Sequence, residues 1–258
     1  MDVRAKKHLG QHFLTDQNIA RNIVDSLSFE GYGKVLEVGP GMGVLTKFLL
    51  EKDVETYVAE IDNESIDYLK KHYPKLEEQH FVGDFLKINV PEIFGEEVAV
   101  IGNFPYNISS QILFKIIDNY TLIPEMSGMF QKEVAERTAA KPRTKDYGIL
   151  SVLVQAYYDV EYLFTVHENV FNPPPKVKSG VIRMTRNLKQ GLAGNEFLFK
   201  QIVKAGFGQR RKKMSNSLKV LGIPENMKSH AFLDIRAEEL SVADFITFTN
   251  EWKAGLSV

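Results

Sequence analysis

The sequence predicts an α/β protein, a domain on a mostly parallel sheet followed by a small all-helical domain. Three observations carry this. Lys34 to Leu49 reads as an apolar strand, a glycine-rich turn and the start of a helix, the unit from which nucleotide-binding parallel sheets are assembled. Strand-like runs recur at 56–61, 98–103 and 126–130, with helix-like segments between them. Beyond a glycine-containing linker at 186–194 the chain reads as helical and carries a basic block. The expected domain limits are 1–187 and 188–258.

Composition narrows the class. At 258 residues and 44% apolar, the chain has room for a full core. A net charge of −1 gives no bulk attraction to an acidic partner, so nucleic-acid binding requires local clustering. The absence of cysteine excludes disulfides, thiolate nucleophiles and cysteine-ligated metals, and no metal site is expected. No apolar run approaches the ~20 residues of a membrane span. The basic N-terminus lacks the apolar core of a secretory signal, so a cytoplasmic protein without a membrane partner is expected.

Taken in order, the chain opens with a basic segment, Arg4, Lys6, Lys7 and His8, then Gly10-Gln-His-Phe-Leu-Thr-Asp16. Spacing alone favours a frayed tail here over a phosphate-touching arm that folds across a cofactor pocket. Thr15 or Asp16 can cap a helix with apolar positions Ile19, Ile23, Val24 and Leu27. Val35, Leu36 and Val38 read as a buried parallel strand, with Glu37 inside its end. Gly39, Gly41 and Gly43 then allow a sharp turn and close approach to a ligand. Their spacing is G-x-G-x-G, unlike the G-x-G-x-x-G of dinucleotide enzymes. A second strand ends at Glu60 and Asp62, where an acid can accept from ribose hydroxyls. Phe81 to Phe85 is expected as a third strand end, placing Asp84 against an adenine amine.

The most informative run is Asn103-Phe-Pro-Tyr-Asn107, after the strand Val98, Val100, Ile101 and before a helix with Ile112, Leu113, Ile116 and Ile117 on one face. An exocyclic aromatic amine is a poor nucleophile because its lone pair is conjugated into the ring. The Asn103 oxygen and the carbonyl of Phe104 or Pro105 can accept its two N–H bonds, and the Tyr106 ring can stack on the base. A plain strand-to-helix turn has about even odds on these residues alone. The glycine loop and the two acids ahead of it tip the balance towards an adenosine-bearing cofactor beside an amine pocket. S-adenosylmethionine fits better than NAD, because its methyl needs only in-line positioning against a nucleophile.

Further on, Met126 to Phe130 reads as a strand, a helix follows with Lys132 and Glu136 one turn apart, and Tyr147 to Tyr158 is helix-like. The loop around Arg143 is basic and proline-broken. Phe171 to Ser179 is a stiff proline-rich segment with Lys176 and Lys178, in which Phe171 either braces a hairpin or closes the far side of a base pocket opposite Tyr106. Between Lys200 and Lys219 there are seven Lys or Arg and no acid, including Arg210, Arg211, Lys212 and Lys213. A solvated helix face usually mixes signs, so this block favours a phosphate backbone.

These motifs together resemble the small-subunit ribosomal RNA adenine N6,N6-dimethyltransferases of the KsgA type, over essentially the whole chain. The matching segments are Gly10–Asp16, Glu37–Gly43, Glu60, Gly83–Phe85, Asn103–Ser109, Gln131–Ala135, Phe171–Ser179 and the block from Phe207 to Leu218. The resemblance implies a Rossmann-like methyltransferase domain with a helical C-terminal domain. It implies dimethylation of two adjacent adenines in the 3′-terminal hairpin of 16S rRNA, in an immature 30S-type particle, by a monomer using S-adenosylmethionine. It places cofactor contacts at His12, Leu14, Gly39, Glu60, Asp84 and Asn103, with Glu37 and Gly41 in the same loop. It places the amine site at Asn103, Pro105 and Tyr106, with Phe171 stacking. RNA contacts are expected from Lys6, Lys7, Arg143, Lys176, Lys178 and Arg210 to Lys213. Two positions depart from the family pattern: His12, where Asn is common, and Phe104, where Leu is usual. The competing readings are a cofactor-binding assembly checkpoint factor and the large-subunit methylase of macrolide resistance. A dehydrogenase is disfavoured by the loop spacing.

Overall fold

The computed structural model describes residues 3–187, 191–192 and 194–256. The linker expected at 186–194 lies partly outside them. The described chain forms two compact units: one from residues up to Glu136 with Val160–Arg186, the other from Arg137–Asp159 with residues from Asn187 onward. Residues 137–159 thus group with the C-terminal segment, whereas the sequence alone assigned them to the first domain.

The strands are β1 (Phe13–Leu14), β2 (Lys34–Val38), β3 (Glu55–Ala59), β4 (Val98–Asn103), β5 (Glu125–Gln131), β6 (Tyr158–Val166), β7 (Phe171–Asn172) and β8 (Ser179–Arg186). Six form one sheet in the order β3-β2-β4-β5-β8-β6, with β3, β2, β4 and β5 parallel and β8 antiparallel to β5. β1 and β7 pair separately, Leu14 opposite Phe171. Strand order reverses at β2, which has β3 on one side and β4 on the other. In a doubly wound sheet the ligand crevice lies outside the carboxyl ends at such a point.

The helices of the first unit follow their sequence signals. α1 (Gln17–Val24) is capped by Asp16, whose carboxylate accepts from the Asn18 and Ile19 amides. It buries Ala20, Ile23 and Val24 against Leu45, Phe48 and Leu49 around the short α2 (Thr46–Leu49). Burial of each large aliphatic chain contributes about 1.5–3 kcal/mol. α3 (Asn63–His72) and α4 (Val90–Phe94) complete the crossovers. α5 (Ser109–Asp118) buries Ile112, Leu113, Ile116 and Ile117, the face expected from spacing. α6 (Lys132–Ala139) follows β5 directly. The expected strand at 81–85 is absent: Phe81 makes one isolated bridge to Val58, and Gly83 turns the chain at φ 82°.

The second unit holds α7 (Ile149–Gln155), α8 (Glu196–Gly208), α9 (Met214–Ser217) and α10 (Val242–Gly255). Its centre is aromatic. Phe248 meets Trp252 edge-on at 5.7 Å, and Phe207 lies 5.9 Å from both Tyr147 and Phe245. The Tyr147 hydroxyl donates to the Leu240 carbonyl at 2.9 Å, satisfying the one polar atom of a buried ring.

Candidate active site

β2, β3 and β4 end side by side, and the residues just past or at those ends, Gly39, Glu60 and Asn103, face one cavity of about 140 Å³. Its walls are the glycine loop, Glu60 and Ile61, the 83–86 turn, the 103–108 turn and the N-terminal arm from His8 to Phe13. The arm is therefore part of the site, not a frayed tail. Gly41 has φ 54°, and a Cβ there would come 2.8 Å from the Phe13 ring, so only glycine lets the arm lie on the loop. Of the expected cofactor residues, His12, Gly39, Gly41, Glu60, Asp84 and Asn103 line this cavity. Leu14 and Glu37 line a smaller hollow of about 30 Å³, with Phe13, Gly39 and Asn103 common to both.

The acids have distinct settings. Glu60 is buried; one oxygen accepts from the Ile61 and Asp62 amides at 2.8 and 2.9 Å, the other from Gly41 at 3.2 Å. Burial pushes its pKa up, opposed by these three N–H groups. A carboxylate offers about four lone-pair sites, so capacity remains for a hydroxyl. Glu37 is fully enclosed, accepts from the Thr46 hydroxyl at 2.6 Å, and is pushed by burial up to about 8, with the nearby Glu60 adding to the rise. It therefore holds its proton at neutral pH. Asp84 accepts from the Leu86 amide at 3.0 Å and pairs with Lys87 at 3.2 Å. Asp62 is turned away from any ribose role. It caps α3 and accepts from Lys6 at 2.5 Å and Gln11 at 3.1 Å. Burial raises its pKa, but these donors outweigh burial and hold it below the ordinary value.

In the 103–107 turn, the Asn103 amide nitrogen donates to the His12 carbonyl at 2.8 Å. A carbonyl can only accept, so this contact fixes which end of the amide is which and leaves Oδ1 for another donor. The Phe104 ring is buried and stacks on Phe130 at 4.6 Å, while its amide donates to Met129 at 3.0 Å. The Pro105 carbonyl accepts from the Ile108 amide at 3.3 Å, while the Ser109 hydroxyl lies 3.1 Å from the Tyr106 carbonyl and 3.4 Å from that of Pro105. Tyr106 shares a 2.5 Å hydroxyl bond with Ser179, and burial raises its pKa. Phe171 sits on β7, opposite Leu14. It lines neither cavity, and its side chain is buried in the main cluster with Leu14, Val166 and Val181, because the β1–β7 pairing turns it inward.

The basic residues fall into three settings. Lys6 is engaged by Asp62 and Glu64, which raise its pKa. Lys7, Lys176 and Lys178 are exposed in the first unit. In the second unit, Arg210 bonds the Glu238 carboxylate at 2.7 Å and the Thr144 carbonyl at 3.2 Å, and the Arg143 amide donates to the Glu238 carbonyl at 2.8 Å. The 141–145 loop and the 210–213 block are thus neighbours, and Arg143 and Arg210 to Lys213 are exposed. Sequence reasoning missed Phe13, Ser179 and the Lys6–Gln11–Asp62 clasp. Phe13 and Ser179 sit inside the quoted motifs, but nothing in the one-dimensional pattern pairs them with their partners.

The donor set suits an adenosyl cofactor, with a spare-capacity acid at the strand end, a second acid beyond it and a backbone loop without side chains. Among the described residues no group of His, Asp and Glu is placed to hold a metal ion. A parallel sheet with this loop, this acid and an amide-bearing turn on one cavity defines a Rossmann-like methyltransferase. The pattern of the ribosomal RNA adenine dimethylase family matches residues 3–253, and the chain belongs to that family. Ribosomal RNA small subunit methyltransferase A of Flavobacterium johnsoniae is 56% identical over 98% of this chain and 97% of its own length. The protein of the same name from Bacteroides fragilis is 55% identical over 99% and 95%. A dimethyladenosine transferase from Plasmodium falciparum shares the fold, with TM-score 0.82, 24% identity and coverage of 95% and 98%. The 23S rRNA methyltransferase ErmE aligns at TM-score 0.67 and 24% identity, over 92% and 99%. The protein is an S-adenosylmethionine-dependent rRNA adenine methyltransferase. No described helix is long and apolar enough to cross a membrane.

Proposed function

We propose that the protein dimethylates N6 of two adjacent adenines in the 3′-terminal hairpin of small-subunit rRNA. It acts as a cytoplasmic monomer on an immature small subunit. The names of its curated relatives support the small subunit over the large one.

Gly39, Gly41, Glu60 and Asp84 hold the cofactor, with Glu60 accepting from ribose and Asp84 from the adenine amine. When bound, S-adenosylmethionine supplies an electrophilic methyl carried on a sulfonium. The target adenine leaves its stack and lies on Tyr106, whose ring is pinned by Ser179. Asn103 Oδ1 accepts one N–H of the amine. The Phe104 carbonyl accepts the other, since that of Pro105 is already bonded within its turn. Two acceptors placed out of the ring plane favour a pyramidal nitrogen with an available lone pair. The proton shed by the alkylated nitrogen is strongly acidic and passes to water, so no dedicated base is needed. Arg143 and the Arg210 to Lys213 block bind the RNA backbone, with Lys7, Lys176 and Lys178 adding contacts. Arg143 and the Arg210 to Lys213 block belong to the second unit, whereas the residues lining the cavity belong to the first.

The observation that carries this reading is the 2.8 Å bond from the Asn103 amide nitrogen to His12, which leaves the acceptor oxygen to other donors on a residue that lines the same cavity as Glu60. It favours catalysis over a role confined to binding. The test is to offer labelled cofactor with immature small subunits, large subunits and free rRNA in parallel and map the modified bases. Label at two neighbouring adenines of the small subunit is expected; label confined to large-subunit RNA, or none, contradicts the proposal.

A further inference from the structure

His12 lines the cavity, yet its side chain is committed elsewhere than to a cofactor. Its imidazole stacks on the Tyr106 ring, with centroids 5.5 Å apart and planes at 30°. Its Nδ1 lies 2.8 Å from the Pro173 carbonyl, and because a carbonyl only accepts, Nδ1 carries a proton. Its own carbonyl receives the Asn103 amide at 2.8 Å. One residue thus touches the base platform, the amine acceptor and the proline-rich loop.

The arm around it is held on both sides. Before it, Lys6 and Gln11 bond Asp62 at 2.5 and 3.1 Å. After it, Phe13 and Leu14 pair with Asn172 and Phe171, and Thr15 bonds the Val170 carbonyl through both its amide and its hydroxyl. His12 itself is half-buried on the cavity wall, with its ring against Tyr106.

We propose that His12 is a positioning residue for the target adenine: it sets the Tyr106 ring by stacking and ties it to the proline loop through Pro173. The inference rests on the proposed roles of Tyr106 and Asn103. Tyr106 is then fixed at two points, its hydroxyl by Ser179 and its ring face by His12. The contact from the His12 main chain to Asn103 survives any side-chain change, so substitutions isolate the ring.

Three variants separate the two side-chain contacts. His12→Phe keeps the stack and loses the bond to Pro173, His12→Asn can keep the bond and loses the stack, and His12→Ala loses both. Methylation of unmethylated small subunits is measured as kcat and KM, with S-adenosylhomocysteine affinity by calorimetry and thermal midpoints alongside. His12→Ala is expected to lower kcat/KM for the subunit about three- to ten-fold, the range for one aromatic pair. Affinity for S-adenosylhomocysteine stays within about two-fold, and His12→Phe recovers most of the loss. Unchanged kcat/KM in His12→Ala overturns the inference. So does a parallel loss of S-adenosylhomocysteine affinity in the folded variant, which makes the ring a cofactor contact, and so does failure of His12→Phe to recover. If His12→Ala does not fold, the comparison of His12→Asn with His12→Phe decides, Phe being the more active if the inference holds. Tyr106→Ala serves as the control: if it turns over normally, the platform reading itself fails, whereas a crippled Tyr106→Ala beside an unaffected His12→Ala sinks only the role of His12.

Discussion

Gly128 has no catalytic atom, yet its replacement by alanine is expected to damage both stability and turnover. It lies in β5 opposite Gly102 of β4. A Cβ there would sit 2.3 Å from the Phe104 ring and 2.5 Å from the Gly102 carbonyl. Neither neighbour can yield easily. The carbonyl belongs to a central strand, and the ring is fully enclosed and stacked on Phe130 at 4.6 Å. Overpacking of this kind costs about 1–3 kcal/mol, and a clash with backbone belongs at the upper end. For a protein of this size that lowers the melting midpoint by roughly 6–12 °C. Whatever relief the structure finds must move Phe104, which carries the proposed second acceptor beside Asn103. A displacement of about 1 Å at a reacting group can cost 10²-fold, so single-turnover methylation is expected to fall by between ten- and a hundred-fold. Gly33→Ala is the control, because its added methyl meets nothing within 4 Å. Calorimetry and single-turnover kinetics on both variants decide. A Gly128→Ala protein with wild-type midpoint and rate refutes the argument that Phe104 is wedged on a glycine platform.

Three further outcomes are expected. Neutralising Arg210, Arg211, Lys212 and Lys213 together should weaken RNA binding and reduce the slope of log affinity against log salt by up to about 3; an unchanged slope in filter binding removes this block from the interface. Glu37 is protonated in the folded protein up to about pH 8, well above its ordinary value of 4.5. The folded state then binds more protons than the unfolded state between those values, so this group's contribution to stability falls as pH rises, by at most about 1.4 kcal/mol per pH unit. Glu37→Gln should lose less stability than wild type between pH 6 and 8 in denaturant titrations; parallel curves contradict a neutral buried carboxyl. Lys6→Ala should loosen the arm and expose it to limited proteolysis while changing the salt slope of RNA binding little; a reduced slope would assign Lys6 to RNA instead of Asp62.

What the sequence made legible depended on how local each signal is. The face of α5 buries Ile112, Leu113, Ile116 and Ile117 because helical period alone selects them. The Asp16 cap and the glycine turn after β2 are equally local. Phe81 to Phe85 looked like a strand because apolar residues flank an acid, but Gly83 breaks the run and leaves a single bridge. Pairings between distant residues were invisible. Leu14 opposite Phe171 turns that ring into the core, and Lys6 finds Asp62 fifty-six positions along the chain. The same holds for the 141–145 loop, whose link to the 210–213 block runs through Glu238, a residue with no signal of its own.

The most direct test is Asn103→Ala in single-turnover methylation of immature small subunits, with binding of S-adenosylhomocysteine and of the subunit measured on the same protein. A pair of acceptors that makes the adenine nitrogen reactive predicts methyl transfer reduced by at least about 10²-fold with retention of the subunit largely intact. Transfer at the wild-type rate by that variant would show that the amide does no chemistry.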